Sequence, residues 1–268
     1  MDLATAWSRH STVYQSAVQN FTTLFGLDAI KLARIPKASR CLDIACGPGA
    51  LSIYLASRGH HVFGTDISEA MLEIARTASK NSNVKVDYEV ANGQDLSPFR
   101  DESFDVALSN FGIFMFPQRE LGWKAAHRVL KKGGILVATG WDATFPVLVA
   151  LNAFRRHVEP NVVIQDNPTT LAATFAEEVK NNGFKDVTIY PITHEFVYES
   201  GKDFLHSQED NPFFAKLMEA DVNAARRIFL ETVLGTVMSK DVNVLESPEF
   251  RNPVHFKAVA NVCVASKS

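Results

Sequence analysis

A chain of 268 residues, 46% hydrophobic and 21% charged with a formal net charge of −3, can bury a sizeable core and carries no basic excess of the kind that nucleic acids or anionic membranes select. Three cysteines, Cys41, Cys46 and Cys263, stand at no framework or ligand-pair spacing, which argues against a disulfide scaffold and a zinc site. No apolar run reaches membrane-spanning length and the N-terminus lacks an apolar signal core, so a cytoplasmic protein without a metal is expected.

Residues 3–34 read as helix in two pieces, with Val13, Ala17, Phe21 and Leu24 at helical spacing and Pro36 ending the region. RCLDIA (40–45) reads as a strand and ALSIYLASRG (50–59) as a helix closed by Gly59. HVFGTDI (61–67) is the next strand, and Ser68 caps the helix that follows, with Met71, Leu72 and Ala75 on one face. VKVDYEVA (84–91) and FDVALSN (104–110) are strands. QRELGWKAAHRVL (118–130) is a helix, KKGG a turn, and ILVATGW (135–141) a strand. FPVLVALNAFRRHV (145–158) is helical, Asn167-Pro168 opens a further helix that Gly183 closes, and residues 185–198 form a strand. Residues 201–245 are mostly helical in pattern, and HFKAVANVCVASK (255–267) is a final strand. Strand and helix alternate repeatedly, which marks an α/β protein with a parallel, doubly wound sheet covered on both faces. One domain is expected across 1–268, with N-terminal helices over 1–36, a core over 37–200 and 251–268, and a helical insertion over 201–250.

The stretch CLDIACGPGA (41–50) places two glycines one residue apart where the first strand meets its helix. In open α/β sheets, ligands bind beyond the carboxyl ends of the strands, and small residues there let backbone amides face a ligand. Tight helix–strand packing is the alternative use of such a turn. Asp66 ends the second strand 19 positions after Gly47, near the spacing at which an acidic residue meets a ribose. The alternative for Asp66 is a carboxylate at a helix N-terminus, though Ser68 is the better cap. An adenosine derivative is therefore expected. The dinucleotide pattern G-x-G-x-x-G fails here, because Gly47-Pro48-Gly49-Ala50-Leu51-Ser52 lacks its third glycine.

LDIACGPG resembles the first motif of class I S-adenosylmethionine-dependent methyltransferases, commonly LDxGCGxG, with Ala45 in place of a glycine. NGQDLSPFRDESFDVA (92–107) resembles that family's GDAEDLPFPDESFDVV, and RVLKKGGILVATGW (128–141) its RVLKPGGxLVxTxW. These blocks match in order and spacing from about 40 to 141, and FKAVANVCVASK resembles the family's last strand. The nearest likeness is to methyltransferases of the ubiquinone/menaquinone-biosynthesis type and related small-molecule enzymes. The resemblance implies a Rossmann-like sheet, mostly parallel with an antiparallel last strand, with the N-terminal and insertion helices as lid elements. Two positions depart from the pattern: Asn92 replaces a common Asp, and Ala125 a common Glu.

The resemblance also implies roles. The backbone of Ala45, Cys46 and Gly47 lines the methionine part of S-adenosylmethionine, Gly49 permits the close turn, and Asp43 orders it. Asp66 holds the ribose hydroxyls. Ile67 and Met71 sandwich the adenine, although Met71 equally suits a plain helix core. Asn92 and Gly93 meet the adenine edge, and Asn110 and Phe111 border the transferring methyl. Tyr14 closes the site or packs as lid. The chemistry implied is in-line displacement, leaving S-adenosylhomocysteine. Cys46 is read as a small buried thiol and not as a nucleophile. An acceptor pocket is expected from Phe114, Met115, Trp141 and Phe145, for a small, partly apolar or aromatic acceptor. His10, His157, His194 and His206 are candidate bases without a commitment among them, each equally able to be a structural histidine. His60 and His61 lie at a strand entry, away from the carboxyl ends. Ser109-Asn110-Phe111-Gly112 stands where methyltransferases of exocyclic amines carry Asp/Asn-Pro-Pro-Tyr, which disfavours those substrates. The open alternatives are a nicotinamide-dependent oxidoreductase and a non-catalytic cofactor-binding scaffold, and the chain is expected as a monomer or homodimer.

Overall fold

A computed structural model describes residues 3–162, 167–209, 221–234 and 251–268. The N-terminal helical region forms α1 (Leu3–Val13) and α2 (Gln19–Ala33), joined by a π-helical turn at Tyr14–Val18. Among the described residues seven strands follow: β1 (Arg40–Ile44), β2 (His61–Asp66), β3 (Asp87–Val90), β4 (Phe104–Asn110), β5 (Leu130–Trp141), β6 (Phe184–Tyr198) and β7 (Val254–Lys267). They form one sheet in the order β3-β2-β1-β4-β5-β7-β6. β1 pairs parallel with β2 and β4, β2 with β3 and β4 with β5, whereas β7 runs antiparallel to β5. This is the doubly wound, Rossmann-like sheet with an antiparallel last strand. The strand order reverses at β1, so the crevice at its carboxyl end is where such sheets take ligands.

The helices are α3 (Ala50–Ser57), α4 (Glu69–Asn81), α5 (Arg119–Val129), α6 (Pro146–Val158), α7 (Ala172–Asn181), α8 (Gly201–Glu209) and α9 (Val222–Leu234). Strand side chains alternate between faces. Leu42, Ile44, Phe104 and Ala107 pack with Trp123 and Val129 of α5 and Phe175 of α7. Cys41, Val106, Leu108 and Val137 pack with Ala29 and Ile30 of α2 and Leu51 and Leu55 of α3. Both faces are therefore covered, and this is why the middle of β4, Val106–Leu108, is apolar on both faces. α4 begins where expected, with the Ser68 hydroxyl accepting from the Met71 amide at 3.3 Å.

The described chain forms two compact units. The first comprises Met1–Asp142, Asn167–Ile192 and Ala260–Ser268, and the second Ala143–Asp166 and Thr193–Val259. Within the second, Phe154 of α6 packs against Ala224 and Ala225 of α9, and Phe145 against Phe256. No helix among the described residues is long and apolar enough to cross a membrane.

Among the described residues three elements differ from the sequence expectation; residues 210–220 and 235–250 of the expected insertion lie outside the described residues. KKGG is not a separate turn: β5 begins at Leu130, which pairs with Phe104, and the register with β4 shifts before Val106. The chain absorbs the extra residues within the strand, with Gly133 at φ +72°. β3 is shorter than 84–91, because only Asp87–Val90 pair with β2 and the Val84 amide instead bonds back to Ser79. Asn167 opens a 3₁₀ turn (Pro168–Thr170), not the helix itself, and Leu171 is extended before α7 starts.

Gly49 is pinned by packing as well as by its backbone. It lies at φ +83°, and a Cβ there would stand 2.6 Å from Tyr88 Oη and 2.9 Å from Ala75 Cβ. Gly49→Ala is expected to destabilise the fold by about 1–3 kcal/mol in a denaturant titration. A variant as stable as the parent would mean that the turn has room to relax.

Candidate functional site at the carboxyl end of β1

The chain leaving β1 makes an unusual turn. Ala45 lies at φ +56°, Gly47 at +55° and Gly49 at +83°, three left-handed residues in five. For alanine this conformation costs energy, and such strain collects where backbone geometry serves a ligand. Hydrogen bonds hold the turn from below. The Cys46 amide donates to the Thr65 carbonyl of β2 (2.8 Å), and the Gly49 amide to the Cys46 carbonyl (3.0 Å). A narrow cavity opens above it, lined by Ala45, Cys46, Gly47 and Pro48, by Asp43, by Tyr14 and Thr22 of the N-terminal segment, and by Asn110 at the end of β4.

Two carboxylates stand at this turn. Asp43 is 2% exposed and its Oδ2 accepts from the Ser52 hydroxyl at 2.6 Å. Burial pushes its pKa up to about 7, against the pull of the Ser52 hydrogen bond. Asp66 is 8% exposed and bridges two loops: Oδ2 accepts from the Gly47 amide (3.0 Å) and Oδ1 from the Ser68 amide (2.9 Å). Its pKa is also raised by burial, with those amides opposing. Each carboxylate oxygen keeps a second lone pair, so a ligand hydroxyl can still be accepted.

Tyr14 roofs the turn. Its ring comes within 3.8 Å of the point where a Cβ on Gly47 would sit. The ring meets Trp7 edge-on at 5.9 Å, and its hydroxyl lies 3.4 Å from Thr22 Oγ1. It stands in the π-helical turn, a distortion frequent at functional sites. Ser8 ties the same region to the α4 cap through a 2.9 Å contact between the Ser8 and Ser68 hydroxyls. Burial raises the Tyr14 phenol and holds the Cys46 thiol well above its ordinary range. Neither group is therefore poised to ionise, and the Cys46 thiol, half-buried where the sequence suggested a buried one, faces the Gly47 carbonyl (3.6 Å).

The remaining sequence-derived residues distribute around this centre. Ile67 is half-buried in the bend after β2, and Met71 is 2% exposed within the packed face of α4. Asn92 is exposed and its Oδ1 accepts from the Gln94 amide (3.0 Å). Gly93 is buried, and a Cβ there would lie 2.4 Å from the Phe116 ring. Asn110 donates to the Thr22 carbonyl (3.1 Å) and accepts from the Thr139 hydroxyl (2.9 Å). Phe111 is left-handed at φ +57° and stacks on Trp141 with centroids 4.0 Å apart. Phe25 and Phe21 of α2 close on Trp141, each at 5.3 Å.

Phe114 is buried and Met115 half-buried in the 3₁₀ turn Ile113–Met115. Phe145 belongs to the second unit. So do His157, 3.8 Å from Asp221, and His194, beside Phe196. His10 and His206 stand on α1 and α8, but their side chains lie outside the described residues. Among the described residues no cluster of His, Cys, Asp and Glu is arranged to hold a metal ion.

Ser52, Thr22, Thr139 and Tyr88 escape the sequence reading. The signal for Ser52 and Thr139 is a polar residue inside an otherwise apolar run, which must be satisfied if buried. Tyr88 gives no such signal. It fills the space over Gly64 and Gly49 because β3 lies beside β2.

Comparison with known proteins agrees with this geometry. Residues 42–138 match the model of the methyltransferase domain family. This part of the chain is a class I S-adenosylmethionine-dependent methyltransferase domain. Demethylmenaquinone methyltransferases are distant relatives: that of Listeria welshimeri is 33% identical over 145 residues, covering 50% of this chain and 58% of its own, and that of Clavibacter sepedonicus is 40% identical over 126 residues, covering 46% and 51%. The chain thus spans little more than half the length of the curated relatives it matches. A Bacillus halodurans structure superposes with a TM-score of 0.63 at 18% identity, over 90% of this chain and 98% of that one, and so shares the fold.

Proposed function

We propose that the chain transfers a methyl group from S-adenosylmethionine to a small, partly apolar or aromatic organic acceptor by in-line displacement, releasing S-adenosylhomocysteine. The observation that carries this reading is the pair of buried carboxylates, Asp43 and Asp66, at a left-handed turn on the sheet's switch point. Both are destabilised as anions by burial, and the charge on Asp66 raises the cost of charging Asp43 further. A cationic ligand bearing a diol relieves that cost on one side and uses the spare lone pairs of Asp66 on the other.

The donor set suits the group. Asp66 takes the ribose hydroxyls, Asp43 and the Ala45–Gly47 backbone the methionine end, and Ile67, Met71, Asn92 and Gly93 the adenine side. Bound S-adenosylmethionine supplies a methyl already activated by its sulfonium. What remains for the protein is alignment and exclusion of water. Asn110, with both ends of its amide committed, supplies a fixed wall. Phe21 and Trp141, backed by the buried rings of Phe25 and Phe111, supply an apolar, flat-faced surface beside it, which favours a planar acceptor. Phe114 and Met115 extend that lining. The relatives' names are in keeping with a small quinone-like acceptor, and three free cysteines with a cytoplasmic setting.

Calorimetric titration with S-adenosylhomocysteine, and with NAD in parallel, tests the reading. Micromolar binding of S-adenosylhomocysteine alone is expected. Binding of NAD alone would transfer the site to nicotinamide chemistry.

A further inference from the structure

Thr139 stands on β5 two residues before Trp141 and is 2% exposed. A hydroxyl buried in an apolar strand is unfavourable unless it is hydrogen-bonded. This one is bonded twice. It donates to Asn110 Oδ1 at 2.9 Å and accepts from the Phe111 amide at 2.8 Å. Those two residues end β4, and Phe111 is held at φ +57°, a conformation that bulky side chains rarely adopt. The Asn110 amide continues the chain by donating to the Thr22 carbonyl of α2 at 3.1 Å. Thr22 and Asn110 both line the cavity over the β1 turn. One hydroxyl on β5 therefore sets the rotamer of Asn110 and stabilises the strained backbone of Phe111, from 28 residues away in sequence.

We propose that Thr139 is a positioning residue for the cofactor: through Asn110 and Phe111 it fixes the wall against which the methionine part and the transferring methyl are seated. This rests on the methyltransferase reading above. The hydroxyl touches neither reacting group. Its contribution is to remove the alternative conformations of Asn110 and Phe111 before the ligand arrives, so that binding need not order them.

The experiment compares wild type, Thr139→Val and Thr139→Ser by calorimetric titration with S-adenosylhomocysteine, at a temperature where melting curves show each protein folded. Valine keeps the volume and removes both hydrogen bonds, whereas serine keeps both. The expected result is an S-adenosylhomocysteine Kd raised about tenfold or more in Thr139→Val and restored to near the wild-type value in Thr139→Ser. The tryptophan emission of Thr139→Val should shift as well, since Trp141 stacks on Phe111. If Thr139→Val does not fold, Thr139→Ala removes the same hydroxyl without setting a methyl against two polar groups. A folded valine or alanine variant that binds as tightly as wild type overturns the role of Thr139 and leaves the cofactor reading standing. Equal weakening in Thr139→Ser also overturns it, because the methyl and not the hydroxyl would then matter. A wild-type protein that binds no S-adenosylhomocysteine overturns the cofactor reading, and the positioning role with it.

Discussion

Asp66→Ala is expected to weaken S-adenosylhomocysteine binding by about 2–4 kcal/mol, the loss of two hydrogen bonds to a charged group. The structure adds a second reason for a large effect. In the protein alone the same carboxylate accepts from the Gly47 and Ser68 amides, so it also holds the β1 turn against the entry to α4. Removing it takes away the ligand's acceptor and leaves two loop amides without their partner. Asp66→Asn separates these contributions. The asparagine oxygen can keep one of the two amides, but its NH₂ cannot accept from a ribose hydroxyl. Calorimetry on both variants decides the matter, and an unchanged dissociation constant in Asp66→Ala would remove Asp66 from the cofactor site.

Asp43→Asn should have the opposite effects on stability and on binding. The Asp43 carboxyl titrates at about 7 in the folded protein against 3.8 as an ordinary aspartate. Between those values the folded state keeps a proton that the unfolded chain has released. Stability from this group is therefore greatest in acid and falls as pH rises through about 7. At 1.36 kcal/mol per pKa unit the full loss is on the order of 4 kcal/mol, an upper bound for one buried carboxyl. Asparagine cannot ionise, so the variant should melt higher than wild type at pH 8 and lose most of the difference near pH 4. Its affinity for S-adenosylhomocysteine should drop if, as proposed, Asp43 faces the methionine end of the ligand, because asparagine brings no charge to the ammonium there. Melting curves at a series of pH values test this. Parallel curves for variant and wild type would show that Asp43 does not carry the titration. Asp66 is likewise raised by burial, so a residual slope of the same sign should remain in Asp43→Asn.

Much of this arrangement is legible along the chain because its signals are local. The alternation of strand and helix, the Ser68 cap and the exact extent of β4 follow from side-chain spacing within each segment. Where the reading slipped, a neighbouring strand overruled the local signal. KKGG looks like a turn, yet Leu130 finds Phe104 and the strand starts early. VKVDYEVA alternates over eight residues, yet β3 has a partner only on the β2 side and for only four of them. The residues of the site divide in the same way. Ala45, Gly47 and Gly49 are visible because small size and left-handed backbone belong to the residues themselves. Ser52 and Thr139 show only as polar residues within apolar runs, and Thr22 and Tyr88 carry no mark at all, since their importance lies in what they meet.

By itself the sequence determined that the chain is α/β, that small residues turn it sharply after β1, and that Ser68 caps the helix after β2. Each of these is a property of a short segment read against simple geometry. Only the tertiary structure decided which groups answer one another there. The Gly47 amide meets Asp66 across 19 positions, Phe111 meets Thr139 across 28, and Asn110 meets Thr22 across 88. A hydrogen bond forms only within about 3 Å, and which distant groups come that close is set by the order of strands in the sheet and not by the pattern within any one of them.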